Sequence, residues 1–338
     1  LKRRIFINDY GVFVGCKGDR IVIKKKGKKI LEEAAANVSQ VMVCTRGVAL
    51  SSAFLRLALK HNIDVVLLSE GGIPLGKLSR SKKGGVKVRK EQLKAQSDWR
   101  GVHIAKQMAK AKIINQRSLL RELARSKARS MPSLAQQVMR VVYEIDEHTR
   151  NIEAIKASST DKARAKIMFE EARAADKYWS GVKLLLSDVV EFPGRRKKFD
   201  RPTDPVNIML NYGYYVLAST VWLAVDSTPL DPYIGFLHAD SSRRPALVMD
   251  LMEEFRQPVV DRVVFNLVKE SVEGFIESRR LTPEGRRALI QALAKRLERK
   301  VTFRSRCLPI EYHIYLQARR ICSFLVGKAS EYLPFTLR

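Results

Sequence analysis

The sequence predicts an α+β protein: a small β-rich N-terminal domain, followed by a larger all-helical C-terminal domain. Two observations carry this expectation. Residues 1–78 hold short runs rich in Val and Ile, bounded by Gly, Asp or Asn. From about residue 91 onward, apolar residues recur at spacings of three and four. With 338 residues, 46% of them apolar and 29% charged, the chain is long enough for two domains with a real core.

The strand candidates are "RIFI", "GVFVG", "RIVIKKK", "SQVMVCT" and "DVVLLSE", with "GDR" at 18–20 as a hairpin loop. One helix interrupts them, "SSAFLRLALKHN", marked by a serine cap and helical apolar spacing. Residues 79–92 read as a basic linker, since "RSKKGGVKVRK" has six basic residues, two glycines and no acid. Residues 93–338 form the helical domain: "DWRGVHIAKQMAKAKIINQRSLLREL" keeps that spacing, and more helices follow near 131–156, 158–182, 205–226, 245–270, 282–298 and 309–330. The break is "EFPGRRKKFDRPTDP", whose three prolines and basic cluster predict a mobile basic loop at 191–205.

Lys and Arg number 63 against 35 Asp and Glu, a formal net charge of +28. That excess calls for a polyanionic partner. No lipidation motif and no basic amphipathic anchor stands out, so nucleic acid is favoured over a membrane surface. No run of eighteen apolar residues occurs, which argues against a membrane span. Cys16, Cys44, Cys307 and Cys322 form no CxxC pair, as expected of free thiols in a reducing cytoplasm. The opening "LKRRIFINDYGVFVG" reads as strand and turn, not as a secretion signal.

Three stretches could hold a metal or an acid–base pair. In "KIMFEEARAADKYW", Glu171, Ala174, Ala175 and Tyr178 share one helical face, with Glu170 pointing elsewhere. In "PLDPYIGFLHADSSRRP", His238 sits at the edge of a turn, twelve residues before an acidic cluster. In "PALVMDLMEEFRQ", Leu247, Val248, Leu251, Met252 and Phe255 form an apolar stripe, and Asp250, Glu253, Glu254 and Gln257 line the opposite side. A solvated face paired with nearby Lys and Arg is the ordinary explanation of those acids. A divalent cation is the other, because carboxylates joined by an imidazole suit Mn²⁺ or Mg²⁺. Such a set can polarise a phosphodiester and activate an attacking oxygen.

Four stretches, in order, carry a resemblance: "FEEARAADKYW", "RPTDPVNIMLNYGYYVL", "LDPYIGFLH" and "ALVMDLMEEFRQPVVD". The chain resembles the CRISPR spacer-acquisition integrase family, the metal-dependent DNA endonuclease that is the first-numbered Cas protein. The resemblance covers essentially the whole chain. It implies that Glu171, His238 and Glu253 are metal ligands, with Asp250 as a supporting acid beside the metal. It implies a homodimer that binds a small ferredoxin-like companion subunit, the second-numbered Cas protein. It implies insertion of short foreign double-stranded DNA into a repeat array, in antiviral defence. Two departures stand out: Ala172 where many members have Gly, and Glu253 where many have Asp. Glu254 competes with Glu253 for the ligand role. Tyr178 and Tyr212 are candidate site-lining residues, and the Lys and Arg of 80–90 and 194–201 are candidate phosphate contacts. Competing functions are a stand-alone nuclease of branched nucleic acid, a non-catalytic DNA-coating protein, and a scaffold for acidic proteins.

Overall fold

A computed structural model describes residues 3–68, 74–79, 85–195, 203–270 and 272–337. The chain divides into two compact units, residues 1–83 and 84–338.

The first unit is strand-rich. Its elements are β1 (Arg3–Ile7), β2 (Val12–Lys17), β3 (Arg20–Lys25), β4 (Lys28–Ala34), β5 (Val38–Val43), β6 (Ala49–Leu50), α1 (Ser52–Lys60), β7 (Asp64–Leu68) and β8 (Pro74–Leu78). They form two four-stranded sheets, ordered β1-β5-β7-β8 and β4-β3-β2-β6. β1, β5 and β7 run parallel, so a connection must cross over between β5 and β7, and α1 lies within it. Ser51 Oγ accepts from Phe54 N at 3.1 Å, the cap the sequence predicted for α1. Phe54, Val14, Ile21, Val41 and Ile63 are fully buried in the core of this unit. β4 has no counterpart among the predicted strands. Its "KKILEEA" is a charged edge strand, with Glu32 held at 2.7 Å by both Arg20 and Lys29.

The second unit is mostly helical. It contains α2 (Val86–Ala95), α3 (Trp99–Lys127), α4 (Pro132–Ala154), α5 (Thr160–Leu186), α6 (Pro205–Asp226), α7 (Ala246–Met252), a π-helical turn (Arg256–Asp261) and α8 (Arg262–Glu270). β9 (Ile276–Glu277) and β10 (Arg280–Leu281) follow, then α9 (Pro283–Glu298), β11 (Lys300–Phe303), β12 (Arg306–Pro309) and α10 (Ile310–Leu325). The long helices α3, α4 and α5 pack on one another, and α6 packs against α7, α8 and α10. α6 is long and apolar enough to cross a bilayer, but 78% of its most apolar stretch is buried inside this unit, as in a core helix.

The two hairpins refine the all-helical expectation. Their turns place Ser278, Arg279, Arg304 and Ser305 in the left-handed region, at φ 48°, 61°, 50° and 62°. Hairpin turns normally announce themselves through Gly or Asn at such positions, and here neither residue is present.

The linker expectation for 79–92 is corrected over its second half, where α2 begins at Val86. Gly85 precedes it at φ +84°, and a Cβ there would stand 2.1 Å from Pro229. Gln92 is fully buried against a later loop, so tertiary contacts stabilise a helix whose basic composition hides it. Residues 80–84 lie outside the described residues, as do 196–202 of the basic loop expected at 191–205. Arg195, within that loop, is tied to α6 by donating to Asn207 Oδ1 at 2.6 Å and Asn211 Oδ1 at 2.7 Å.

Candidate metal centre

The site is built by three stretches of the second unit: α3, α5, and the segment from the loop before α7 to the π-helical turn. Glu171 projects from α5. Glu253 lies just past the end of α7, where the chain turns before entering the π-helical segment. Pro258 has no N–H to give an α-helical ladder, and a π turn accommodates it.

Both carboxylates meet on one cation. Lys112 Nζ on α3 lies 2.5 Å from Glu171 Oε1 and 2.8 Å from Glu253 Oε2. Arg256 Nε lies 2.9 Å from the same Glu253 oxygen, without the alignment of a hydrogen bond. Glu253 is 3% exposed, so its charge survives only because of these partners. Burial favours its neutral form, but Arg256, Lys112 and His238 hold its carboxyl well below the usual range. The reciprocal effect is seen at Lys112. Burial disfavours the ammonium, and Glu171 and Glu253 outweigh that and raise its pKa.

His238 stands beside this pair, close enough for its charge to be felt by Glu253. Its ring is oriented by Asp250. Asp250 Oδ1 contacts His238 Nδ1 at 2.7 Å and accepts from His238 N at 2.8 Å. Asp250 Oδ2 accepts from Phe236 N at 2.6 Å and Leu237 N at 2.9 Å. With Nδ1–H donated to Asp250, Nε2 is the ring atom left to bind a ligand, and among the described residues it makes no hydrogen bond. The imidazole side chain is 32% exposed, so the site is reachable. Burial lowers the His238 pKa, and the Asp250 contact and charge raise it by more, for a net upward shift. Gly235 permits the tight loop: a Cβ there would lie 2.7 Å from Ala246 Cβ and 2.8 Å from the His238 carbonyl.

The structure thus gathers Glu171 and Glu253 at one point with His238 beside them, and sets Asp250 behind the imidazole. The acidic side of 250–257 is not a solvated face. Asp250, Glu253, Glu254 and Gln257 are all buried. Glu254 points away from Lys112. It accepts from Gln317 Nε2 at 2.7 Å, from Phe335 N at 2.6 Å and from the Tyr332 hydroxyl. Burial pushes its carboxyl up to about 7, against the pull of those donors. Tyr178 and Tyr212 are both buried. Tyr178 and Tyr214 donate to Asp261 at 2.8 and 2.6 Å, and Arg256 stacks 4.5 Å over the Tyr214 ring. Tyr178 therefore belongs to a buried cluster behind Glu253.

Two participants were missed from the sequence, Lys112 and Arg256. Lys112 carried a readable signal. It falls on the α3 stripe of Met108, Asn115 and Leu119, all buried, where a charge needs a partner. Among the described residues no three metal donors form a ready-made cage, and the Lys112 ammonium lies against both Glu171 and Glu253. The donor chemistry still suits a hard divalent ion: two carboxylates brought to one point and an imidazole held in the ligating tautomer.

The family described as CRISPR associated protein Cas1 matches residues 5–295. The CRISPR-associated endonuclease Cas1 1 of Archaeoglobus fulgidus is 37% identical over 335 residues, spanning 96% of this chain and 97% of that relative. A casposase bound to its integration product has the same fold, with TM-score 0.81 and 24% identity, covering 99% of this chain and 93% of that one. A Cas6-RT-Cas1–Cas2 complex contains it too, with TM-score 0.78 and 20% identity, over 98% of this chain and 36% of the larger one. Fold and relatives together place the chain in the class of CRISPR-associated proteins. Within that class, the chain belongs to the Cas1 family.

Proposed function

We propose that this protein is a divalent-metal-dependent DNA endonuclease and integrase of CRISPR adaptation. It inserts short foreign double-stranded DNA into a repeat array, by attack of a 3′-hydroxyl on a backbone phosphodiester. The convergence of Glu171 and Glu253 on one buried cation position, beside an imidazole oriented by a carboxylate, supports this most directly.

Glu171, Glu253 and His238 Nε2 would hold Mn²⁺ or Mg²⁺. Such an ion stabilises charge developing on phosphoryl oxygens and orients the attacking oxygen. Asp250 keeps the His238 proton on Nδ1, so Nε2 stays a ligand. Arg256 balances the charge of Glu253, and its stacking on Tyr214 fixes where that carboxylate sits. The excess of Lys and Arg attracts the DNA backbone, which positions DNA with little sequence reading. The working assembly is a homodimer with a small ferredoxin-like companion subunit, in the cytoplasm. The solved complex that contains both Cas1 and Cas2 supports the companion.

A branched DNA with one labelled flap tests this reading. Strand transfer and cleavage are followed with Mn²⁺, with EDTA, and with Glu171→Ala, His238→Ala and Glu253→Ala. Activity that requires Mn²⁺ and disappears in all three variants, with DNA binding kept, is the expected result. DNA binding without activity under any condition would instead identify an architectural protein.

A further inference from the structure

We infer that Lys112 is a positioning residue that takes the place of the divalent ion in the metal-free protein: its ammonium holds Glu171 and Glu253 together and is displaced when the ion enters between them. This rests on the metal-site reading above.

Lys112 is on the buried side of α3, in line with Met108, Asn115 and Leu119, and its side chain is 15% exposed. A lysine in that position costs free energy unless its charge is matched. Here it is matched twice, at 2.5 and 2.8 Å, by carboxylates from separate elements. Without a cation between them, Glu171 and Glu253 would repel.

An entering ion cannot share the position. Mg²⁺ draws oxygens to about 2.0–2.1 Å, closer than the ammonium does, and leaves no room for a second cation between the same two carboxylates. Charge balance points the same way. Glu171 and Glu253 carry two negative charges against the two positive charges of Lys112 and Arg256. A dication added to that balanced set leaves two excess positive charges, which departure of one ammonium relieves. Arg256 is the less mobile of the two, stacked 4.5 Å over Tyr214 and paired with Glu253. Lys112 has a flexible four-carbon stem and three rotatable donors, so it is the group that moves. Metal affinity in the free protein is then set by competition with Lys112.

Two measurements test this. In the first, Mn²⁺ binding is titrated by the loss of the free-ion electron paramagnetic resonance signal, for wild type, Lys112→Met and Lys112→Arg. The expected result is at least about tenfold tighter binding for Lys112→Met, and affinity no tighter than wild type for Lys112→Arg, which keeps the charge. Equal or weaker binding by folded Lys112→Met overturns the inference. The second uses wild type alone, so it stands even where Lys112→Met does not fold. Amine labelling with an N-hydroxysuccinimide ester is read peptide by peptide, with and without Mn²⁺. Lys112 is expected to be protected without the ion and labelled several-fold more with it, while surface lysines stay unchanged. Mn²⁺ binding with unchanged Lys112 labelling overturns the inference and leaves the metal site standing. No Mn²⁺ binding by wild type overturns both.

Discussion

Asp250 is fully buried and accepts three backbone N–H groups and one imidazole contact with two oxygens. An amide cannot do the same, because one of its ends is a donor. Asp250→Asn is therefore expected to cost about 1–3 kcal/mol in urea denaturation, from a buried donor left unmet. It is also expected to weaken Mn²⁺ binding by roughly 10–100-fold, as loss of a ligand-orienting partner does. Glu254 makes a separate prediction. Its carboxyl is raised from an ordinary 4.5 to about 7 by burial, so the folded state holds the proton more tightly than the unfolded chain. The stability from this group is present in full below about pH 4.5 and is lost as pH rises through about 7. The urea midpoint should fall across that window, with a shallower fall in Glu254→Gln. The acidic cluster was legible as a set of candidates, and the choice between Glu253 and Glu254 was not. Glu254 is claimed by Gln317, Tyr332 and Phe335, and no local pattern links residues so far apart in the chain.

At the scale of elements, α2 holds the loop that carries His238. Gln92 Nε2 donates to Asp231 O at 2.9 Å and Ile234 O at 2.8 Å, and Gln92 Oε1 accepts from Asp231 N at 2.8 Å. One turn on, Gln96 Nε2 donates to Gly235 O at 2.8 Å. Gln92→Ala removes three of these bonds, so hydrogen exchange at residues 231–237 should speed up while exchange in α4 stays unchanged. α1 and α3 were readable because their apolar stripes meet a core in the same unit, and α6 because it is a long apolar run buried on nearly every side. α2 was not, since its buried positions are Gln92 and Ala95 while Val86 and Leu93 are exposed among its lysines. The break after α7 was also hidden. The apolar stripe of 247–255 is continuous in sequence, while the backbone leaves the α-helix after Met252.

Across the whole molecule, the net charge of +28 dominates encounter with other polymers. DNA affinity should fall on the order of a thousandfold between about 50 and 200 mM salt if six phosphates are neutralised. A flat salt profile would favour docking onto acidic proteins instead. Glu171→Ala, which leaves the basic surface intact, should keep the slope of that profile.

Residues 332–335 close the back of the site. Tyr332 and Phe335 are fully buried, Phe335 stacks on Phe255 at 4.8 Å between ring centroids, and its N–H reaches Glu254 across 81 positions. A ribosome makes Glu253 and Glu254 long before it makes those residues. Until then Glu254 has no Phe335 N–H and no Tyr332 hydroxyl to satisfy it, and the hydrophobic slot behind Phe255 stands open. The helical unit therefore cannot complete its folding while residues 332–335 are still being translated. A chain that stalls before them would display the basic surface while the buried acidic cluster around Glu253 and Glu254 is still unfinished.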